Sequence, residues 1–335
     1  MSTYPAAPAA RDRFVLERRP PRSSRDPWRA PDLLIEEEPA ADATIARVAT
    51  VFLTGRECPW RCVMCDLWRQ TTSDDTPAGA IAAQVAAARA SIDRMPDPVS
   101  HIKLYNAGSF FDPRAVPESD YDAVSGSLAG FARVIVESHP SLIGARTRQF
   151  LETLQRHRAG APSPVLEVAM GLETAHAVAL ERLNKQMTVA GFMAAAGRLR
   201  ELGVQLRVFL LVSPPFVPSG DQDQWLLRSL DVALASGASV VSLIPTRPGN
   251  GAIDALSEAG MFRPPRIADL ERSLSLALAH AAATNARVLA DLWDLARFAT
   301  CPHCLEARRS RLHAMNLEQR DQPPWRCECC RPGQN

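Results

Sequence analysis

Three cysteines, Cys58, Cys62 and Cys65, lie in the pattern C-x3-C-x2-C directly after the apolar run Ala46 to Thr54. Three thiolates on so short a loop can hold three irons of a cubane cluster, whose usual ligand set is four cysteines. The remaining iron is then open, and an open metal position is where a small molecule binds and reacts. Three cysteines plus one distant ligand would also satisfy a tetrahedral zinc ion, although zinc sites are more often built from paired C-x2-C knuckles. The C-terminal region has that paired form: Cys301 with Cys304, then Cys327 with Cys330, Cys329 being a spare or a substitute. This spacing reads as a zinc-ribbon-like module, and the same thiolates suit an auxiliary iron–sulfur cluster. Arg308, Arg309, Arg311 and Arg320 lie between the knuckles, a basic segment suited to closing the fold or to gripping RNA phosphate.

The elements that must position these groups alternate along the chain. Apolar or β-branched runs occur at Ala46 to Thr54, Val99 to Tyr105, Arg133 to Glu137, Val165 to Met170, Leu206 to Val212 and Ser239 to Ile244, with a weaker seventh at Arg287 to Ala290. Longer helical stretches separate them, which is the signature of an α/β fold with a parallel sheet wound by crossover helices. Val189 to Leu202 sets Phe192, Ala195, Ala196 and Leu199 on one helical face, and Ile267 to Ala283 does the same with Leu270, Leu274 and Ala277. Asp221 or Asp223 can cap a helix that ends at Gly237. Residues 1–41 are rich in Pro, Arg and acidic side chains without a sustained period, and read as a disordered or extended arm. The barrel is expected over 42–295 and the Cys-rich module over 296–335.

In barrels of parallel strands the βα loops at the carboxyl ends build the active site. The cysteine loop comes directly after the first run. The second ends in Asn106-Ala107-Gly108-Ser109, where glycine lets backbone approach a ligand, and the third in Glu137-Ser138-His139-Pro140. The fourth ends in Gly171-Leu172-Glu173-Thr174. An acid at a strand tip is costly to bury alone, so Glu137 and Glu173 should each meet a ligand, an arginine or water. His139 has the chemistry for a proton relay near neutral pH. Ser213-Pro214-Pro215-Phe216 is a stiff turn able to wall a pocket, and Pro245 to Gly251 reads as a flexible loop.

The C-x3-C-x2-C loop resembles that of the radical S-adenosylmethionine (SAM) superfamily. The resemblance implies a partial (β/α)6 TIM-like barrel, a 4Fe-4S cluster on Cys58, Cys62 and Cys65, and SAM on the open iron. In that chemistry an electron from the cluster cleaves the sulfonium to a 5'-deoxyadenosyl radical, and the protein places the substrate hydrogen. It also implies that Asn106, Ala107, Gly108 and Ser109 occupy the place of a Gly-Gly-Glu-like segment that binds the SAM amino group, from which they depart. Glu173, in a Gly-Leu-Glu-Thr segment, is expected near the SAM ribose or methionyl group, and Glu137 is a further candidate. Tyr105 to Pro113, Val136 to Pro140, Leu183-Asn184-Lys185 and Leu210 to Phe216 occur in an order similar to the radical SAM subunit of archaeosine synthases and their relatives. That likeness covers about Thr44 to Pro265. It implies action on a side chain of a 7-deazaguanine base in tRNA, a partner enzyme that prepares the base, and an electron donor such as flavodoxin or ferredoxin.

A net charge of +1 gives no whole-chain argument for nucleic-acid binding. Lys103 and Lys185 are the only lysines, so positive charge is nearly all arginine. The eight cysteines fall in two metal-like groups, which favours a reducing compartment over disulfides. With no apolar leader and no run of membrane-spanning length, the expectation is a cytoplasmic protein. Two other readings stay open. One is radical chemistry on a peptide or small molecule with an auxiliary iron–sulfur cluster; the other is a non-catalytic, zinc-stabilised RNA-binding protein.

Overall fold

Strands of a parallel sheet are covered on both faces, so their sequences run apolar with few interruptions. In the computed structural model, which describes residues 4–23, 25–106, 108–157 and 162–327, those runs form one curled, half-barrel sheet of eight strands among the described residues. The strands are β1 (Asp32–Pro39), β2 (Ile45–Leu53), β3 (His101–Asn106), β4 (Arg133–Glu137), β5 (Val165–Glu173), β6 (Gln205–Val212), β7 (Ala238–Pro245) and β8 (Arg287–Ala290), in that spatial order. From β2 to β8 all neighbours are parallel, so their carboxyl ends share one rim; β1 alone pairs antiparallel, with β2.

The helices are α1 (Pro8–Arg18), α2 (Ala80–Ile92), α3 (Tyr121–Leu128), α4 (Ala145–Arg156), α5 (Ala177–Arg182), α6 (Val189–Glu201), α7 (Gln222–Ala235), α8 (Ala252–Glu258), α9 (Ile267–Ala281) and α10 (Leu305–Glu318). The apolar faces expected on α6 and α9 are buried against the sheet, together with Ile81, Val85 and Ala88 of α2 and Leu226, Leu230 and Ala233 of α7. Asp221 stands at the N-cap of α7 without a side-chain capping bond.

One expectation changes at the N-terminus. The stretch read as a disordered or extended arm carries α1 and β1. Tyr4, Phe14 and Val15 are buried with Val63, Leu183 and Ile253, and Arg11 donates to the Glu181 carbonyl and carboxylate at 2.8 and 2.9 Å. A few large apolar side chains and paired arginines anchor a segment whose average composition is polar. Strand β1 escaped notice because Glu36-Glu37-Glu38 looks solvated. In the strand, Glu36 and Glu38 instead project to Lys103, and Glu38 also to Arg207, across the concave face.

The sheet does not close on itself, and α10 occupies the gap between β8 and β1. An exposed strand edge is a row of backbone donors and acceptors that must find partners. On β8, Asn316 of α10 accepts from Ala290 N and donates to its carbonyl at 2.8 and 2.9 Å, and Gln319 does the same to Val288 at 2.7 and 2.9 Å. Two side-chain amides thus act as the missing strand. Arg287 of β8 reaches across to the Pro39 carbonyl of β1 at 2.8 Å. Asn316→Leu would leave the N–H and C=O of Ala290 buried without partners, and should lower the unfolding free energy by about 3 kcal/mol in urea denaturation.

Candidate active site

The cysteine loop leaves β2 at the carboxyl rim and has little backbone bonding of its own. Val63 N donates to the Leu183 carbonyl at 3.0 Å, and Cys65 N to the Cys62 carbonyl at 3.2 Å. The rest of its support comes from outside. Asn184 donates to the Arg61 carbonyl at 2.9 Å, and Asn250 to the carbonyls of Val63 and Cys65 at 2.8 and 3.2 Å. The segment Pro245 to Gly251, read as a flexible loop, therefore contains a buried clamp. At the other side Glu57 pairs with Arg19, Arg22 and Arg61, which ties the N-terminal arm to the loop.

Lys185 sits one residue beyond Asn184 in a turn where Asn184 and Gln186 have φ of 60° and 55°. Its ammonium donates to the Gly171 carbonyl at 2.6 Å and to Glu173 at 2.5 Å. Glu173 itself has φ of 66°, at a bulge in the β5–β6 pairing, a conformation that costs of order 1–2 kcal/mol and re-aims the side chain. A Cβ on Gly171 would collide with this ion pair, which explains the glycine. The expected partner for Glu173 is thus a lysine of the protein itself.

The Trp60 indole stacks on the His139 ring, centroids 3.6 Å apart. His139 Nε2 meets the Lys185 carbonyl at 3.0 Å, Nδ1 meets Ser141 at 2.8 Å, and the His139 N–H donates to Ser109 Oγ at 2.9 Å. Both ring nitrogens are engaged, so His139 is a brace rather than the proton relay its residue type offered. Cys58, Cys62 and Cys65 line one cavity of about 1700 Å³ with Gly108, Ser109, Glu137, Glu173 and Lys185. Asn106 ends β3 at the same rim, and Ala107 lies outside the described residues.

Burial raises the pKa of all three thiols, Cys65 to about 12, and neighbouring thiols add to the rise at Cys62 and Cys65. Loading a metal here must displace those protons. A single zinc ion, with Zn–S bonds near 2.3 Å, draws its thiolates to about 3.8 Å from one another. Among the described residues, the group of three donors lying within 4.8 Å of one another is Cys301, Cys304 and Cys327, not the N-terminal trio. A cubane holds each thiolate on a different iron, and so accepts sulfurs farther apart than a single ion does.

Deeper in the cavity the concave face is charged. Arg207 forks onto Glu38 at 3.0 and 2.8 Å and donates to Glu167 at 2.6 Å, Arg133 reaches Glu167 at 2.8 Å, and Lys103 lies 2.7 Å from Glu38. These cations hold the Glu38 and Glu167 carboxyls below the usual range against the desolvation that would raise them. Nothing in the periodicity announced this network, although the two lysines of an arginine-rich chain were a usable signal: both are buried against carboxylates.

At the C-terminus, Cys301 and Cys304 are buried and the Cys301 and Cys327 sulfurs are 3.9 Å apart. Cys329 and Cys330 lie outside the described residues. The basic segment between the knuckles comprises α10 and the turn at its C-terminal end, and much of its charge is used internally. Arg308 pairs with Glu271 at 2.5 Å, Arg311 with Glu271 and Asp321 at 3.4 and 2.9 Å, and Arg320 with Glu318 at 2.6 Å.

Burial, and then the Lys185 ammonium, lower the His139 pKa from 6.5 to about 3. An unfolded histidine takes up a proton as pH falls through about 6.5, while folded His139 refuses it until about pH 3. Its contribution is therefore intact above that window and is lost on acidification, by ~1.4 kcal/mol per pH unit for one proton. Urea unfolding of the parent and His139→Gln from pH 7.5 to 4.5 should show the parent losing stability relative to the variant; parallel curves would mean that folded His139 is protonated.

No known family profile matches the chain. It is 25% identical over 274 residues to the archaeosine synthase subunit beta of Methanosarcina acetivorans, covering 79% of this chain and 75% of that protein. An uncharacterised protein of Methanocaldococcus jannaschii is 21% identical over 242 residues, 67% of this chain and 62% of that protein. Among solved structures, the archaeal Elp3 of Methanocaldococcus infernus superposes with a TM-score of 0.50 at 13% identity, covering 70% of this chain and 59% of that one, less than two thirds of its length. With three thiols on the first βα loop of its parallel half-barrel, the chain shares the fold of the archaeal Elp3 and is similar in sequence to an archaeosine synthase beta subunit.

Proposed function

We propose that the protein is a radical SAM enzyme that modifies a nucleobase of tRNA. The observation that carries this reading is the trio of thiols Cys58, Cys62 and Cys65 opening together onto a cavity of about 1700 Å³ at the carboxyl rim. Cys58, Cys62 and Cys65 would hold the 4Fe-4S cluster, and SAM would lie along Asn106, Ala107, Gly108, Ser109, Glu137 and Glu173. Cluster and SAM together supply one-electron cleavage of a sulfonium, and hence a hydrogen-abstracting radical.

The chain's own contribution is placement. Lys185 fixes the carboxylate of Glu173, the Trp60–His139 stack stiffens the loop beside the thiols, and the charged interior gives the cavity a polar wall. Such a wall suits a polar base or side chain better than a lipid or a hydrocarbon. The substrate class rests on the similarity to a subunit of archaeosine synthase, which also supports a partner subunit that prepares the base. Turnover further requires an external one-electron donor of the flavodoxin or ferredoxin kind. Grouped thiols support a reducing, cytoplasmic setting, and no helix among the described residues is long and apolar enough to cross a membrane.

At the C-terminus the close spacing of Cys301, Cys304 and Cys327 supports one tetrahedral ion, zinc by preference, completed by Cys330 or Cys329. Anaerobic reconstitution should yield about four irons and four sulfides per chain beside one zinc. After reduction, SAM should be converted to 5'-deoxyadenosine. Zinc in both places with no SAM cleavage would leave an RNA-binding protein, and iron–sulfur in both would move the substrate toward peptides or small molecules. Cys62→Ala is expected to abolish SAM cleavage and retain the C-terminal metal; retained cleavage would count against the ligand assignment. Coupling is the second measurement: tRNA bearing a 7-deazaguanine base should be altered in step with SAM consumption, whereas unaltered tRNA would remove it as substrate.

A further inference from the structure

Three outward carbonyls of the cysteine loop, those of Arg61, Val63 and Cys65, accept hydrogen bonds from the side chains of just two residues, Asn184 and Asn250. These asparagines come from distant parts of the chain, one after α5 and one before α8, and are 1% and 2% exposed. Each is itself pinned. The Asn184 amide also donates to Asp12 at 2.7 Å, and Asn250 Oδ1 accepts from Ile253 N at 2.8 Å at the start of α8. Asparagine suits the first site twice over, since its backbone there is left-handed and its side chain must donate. The three carbonyls come from one ligand, Cys65, and from the residues immediately before Cys62 and after it.

We propose that Asn184 and Asn250 are positioning residues for the iron–sulfur cluster. They hold the carbonyls of Arg61, Val63 and Cys65 in fixed directions, so that these three oxygens cannot turn toward the sulfurs. Cluster potentials respond to the hydrogen bonds and dipoles around the sulfurs, and groups that orient metal ligands commonly change metal retention 10–100-fold when lost. An oxygen swinging inward would disfavour the reduced, more negative cluster most. The inference rests on reading Cys58, Cys62 and Cys65 as cluster ligands.

Two substitutions separate this role from general folding. Asn184→Gly keeps the left-handed backbone available and removes only the amide. Asn250→Asp keeps the shape and the acceptor for Ile253 N, but sets an oxygen against two carbonyls. Full-length parent and variants would be reconstituted anaerobically. Iron release to a chelator, the midpoint potential by EPR-monitored titration, and the melting temperatures of the metal-free and cluster-loaded protein would then be compared. Iron release about 10-fold faster or more, together with a lower potential and a melting temperature that falls more in the cluster-loaded form than in the metal-free one, is the expected result in Asn184→Gly. Parent-like release and potential in both variants would overturn the proposal. So would a fall in melting temperature that is as large without the cluster as with it, since the asparagines would then serve the fold alone. A parent that takes up no cluster would instead defeat the underlying ligand reading.

Discussion

A loop with neither strand nor helix cannot fix three thiols in a pattern unless the folded body supplies the bonds. Here the supply comes from sequence-distant places that meet behind the loop. Leu183 and Asn184 arrive from the end of α5, Asn250 from the start of α8, and the N-terminal arm through Arg19 and Arg22 on Glu57. Val63 is packed into the small apolar cluster that these same segments share, with Phe14, Val15, Leu183 and Ile253. The loop is thus the meeting point of three separate stretches, and its geometry is a property of the whole barrel.

The cavity imposes a second demand, because an interior that must stay open cannot be filled with aliphatic side chains. At its inner end Glu36, Glu38, Lys103 and Arg207 line it and pair with one another. Replacing one member would strand a buried charge, which costs far more than the pair gains over an apolar equivalent. The merit of the network is fixed position. Lysine is used only twice, at Lys103 and Lys185, where a compact ammonium fits between two oxygens more readily than a planar fork.

The central strands and the helical faces of α6 and α9 were legible in the sequence because burial writes a period into it. The two cysteine groups stood out by their close spacing, and the structure gathers Cys301, Cys304 and Cys327 within 4.8 Å of one another. Strand β1 was hidden by its glutamates, whose partners Lys103 and Arg207 are remote in sequence; charge in the core is readable only when its counter-charge is known. The roles of Asn184 and Asn250 were hidden for a similar reason. A side-chain amide bonded to a distant carbonyl leaves no local pattern, and even the Leu183-Asn184-Lys185 segment pointed to a likeness without pointing to a job. At His139 residue type offered proton chemistry, but a lone histidine beside proline is more often a plain loop residue, and here both ring nitrogens are taken up in bracing the turn.

The amides of Asn316 and Gln319 have a consequence beyond local stability. By occupying the outer edge of β8 they cover a place where a foreign backbone could join the sheet, so α10 works as a guard against unwanted association there. A molecule truncated ahead of it would keep every thiol of the first cluster and still present an adhesive flank, and its failure would be colloidal before it was chemical.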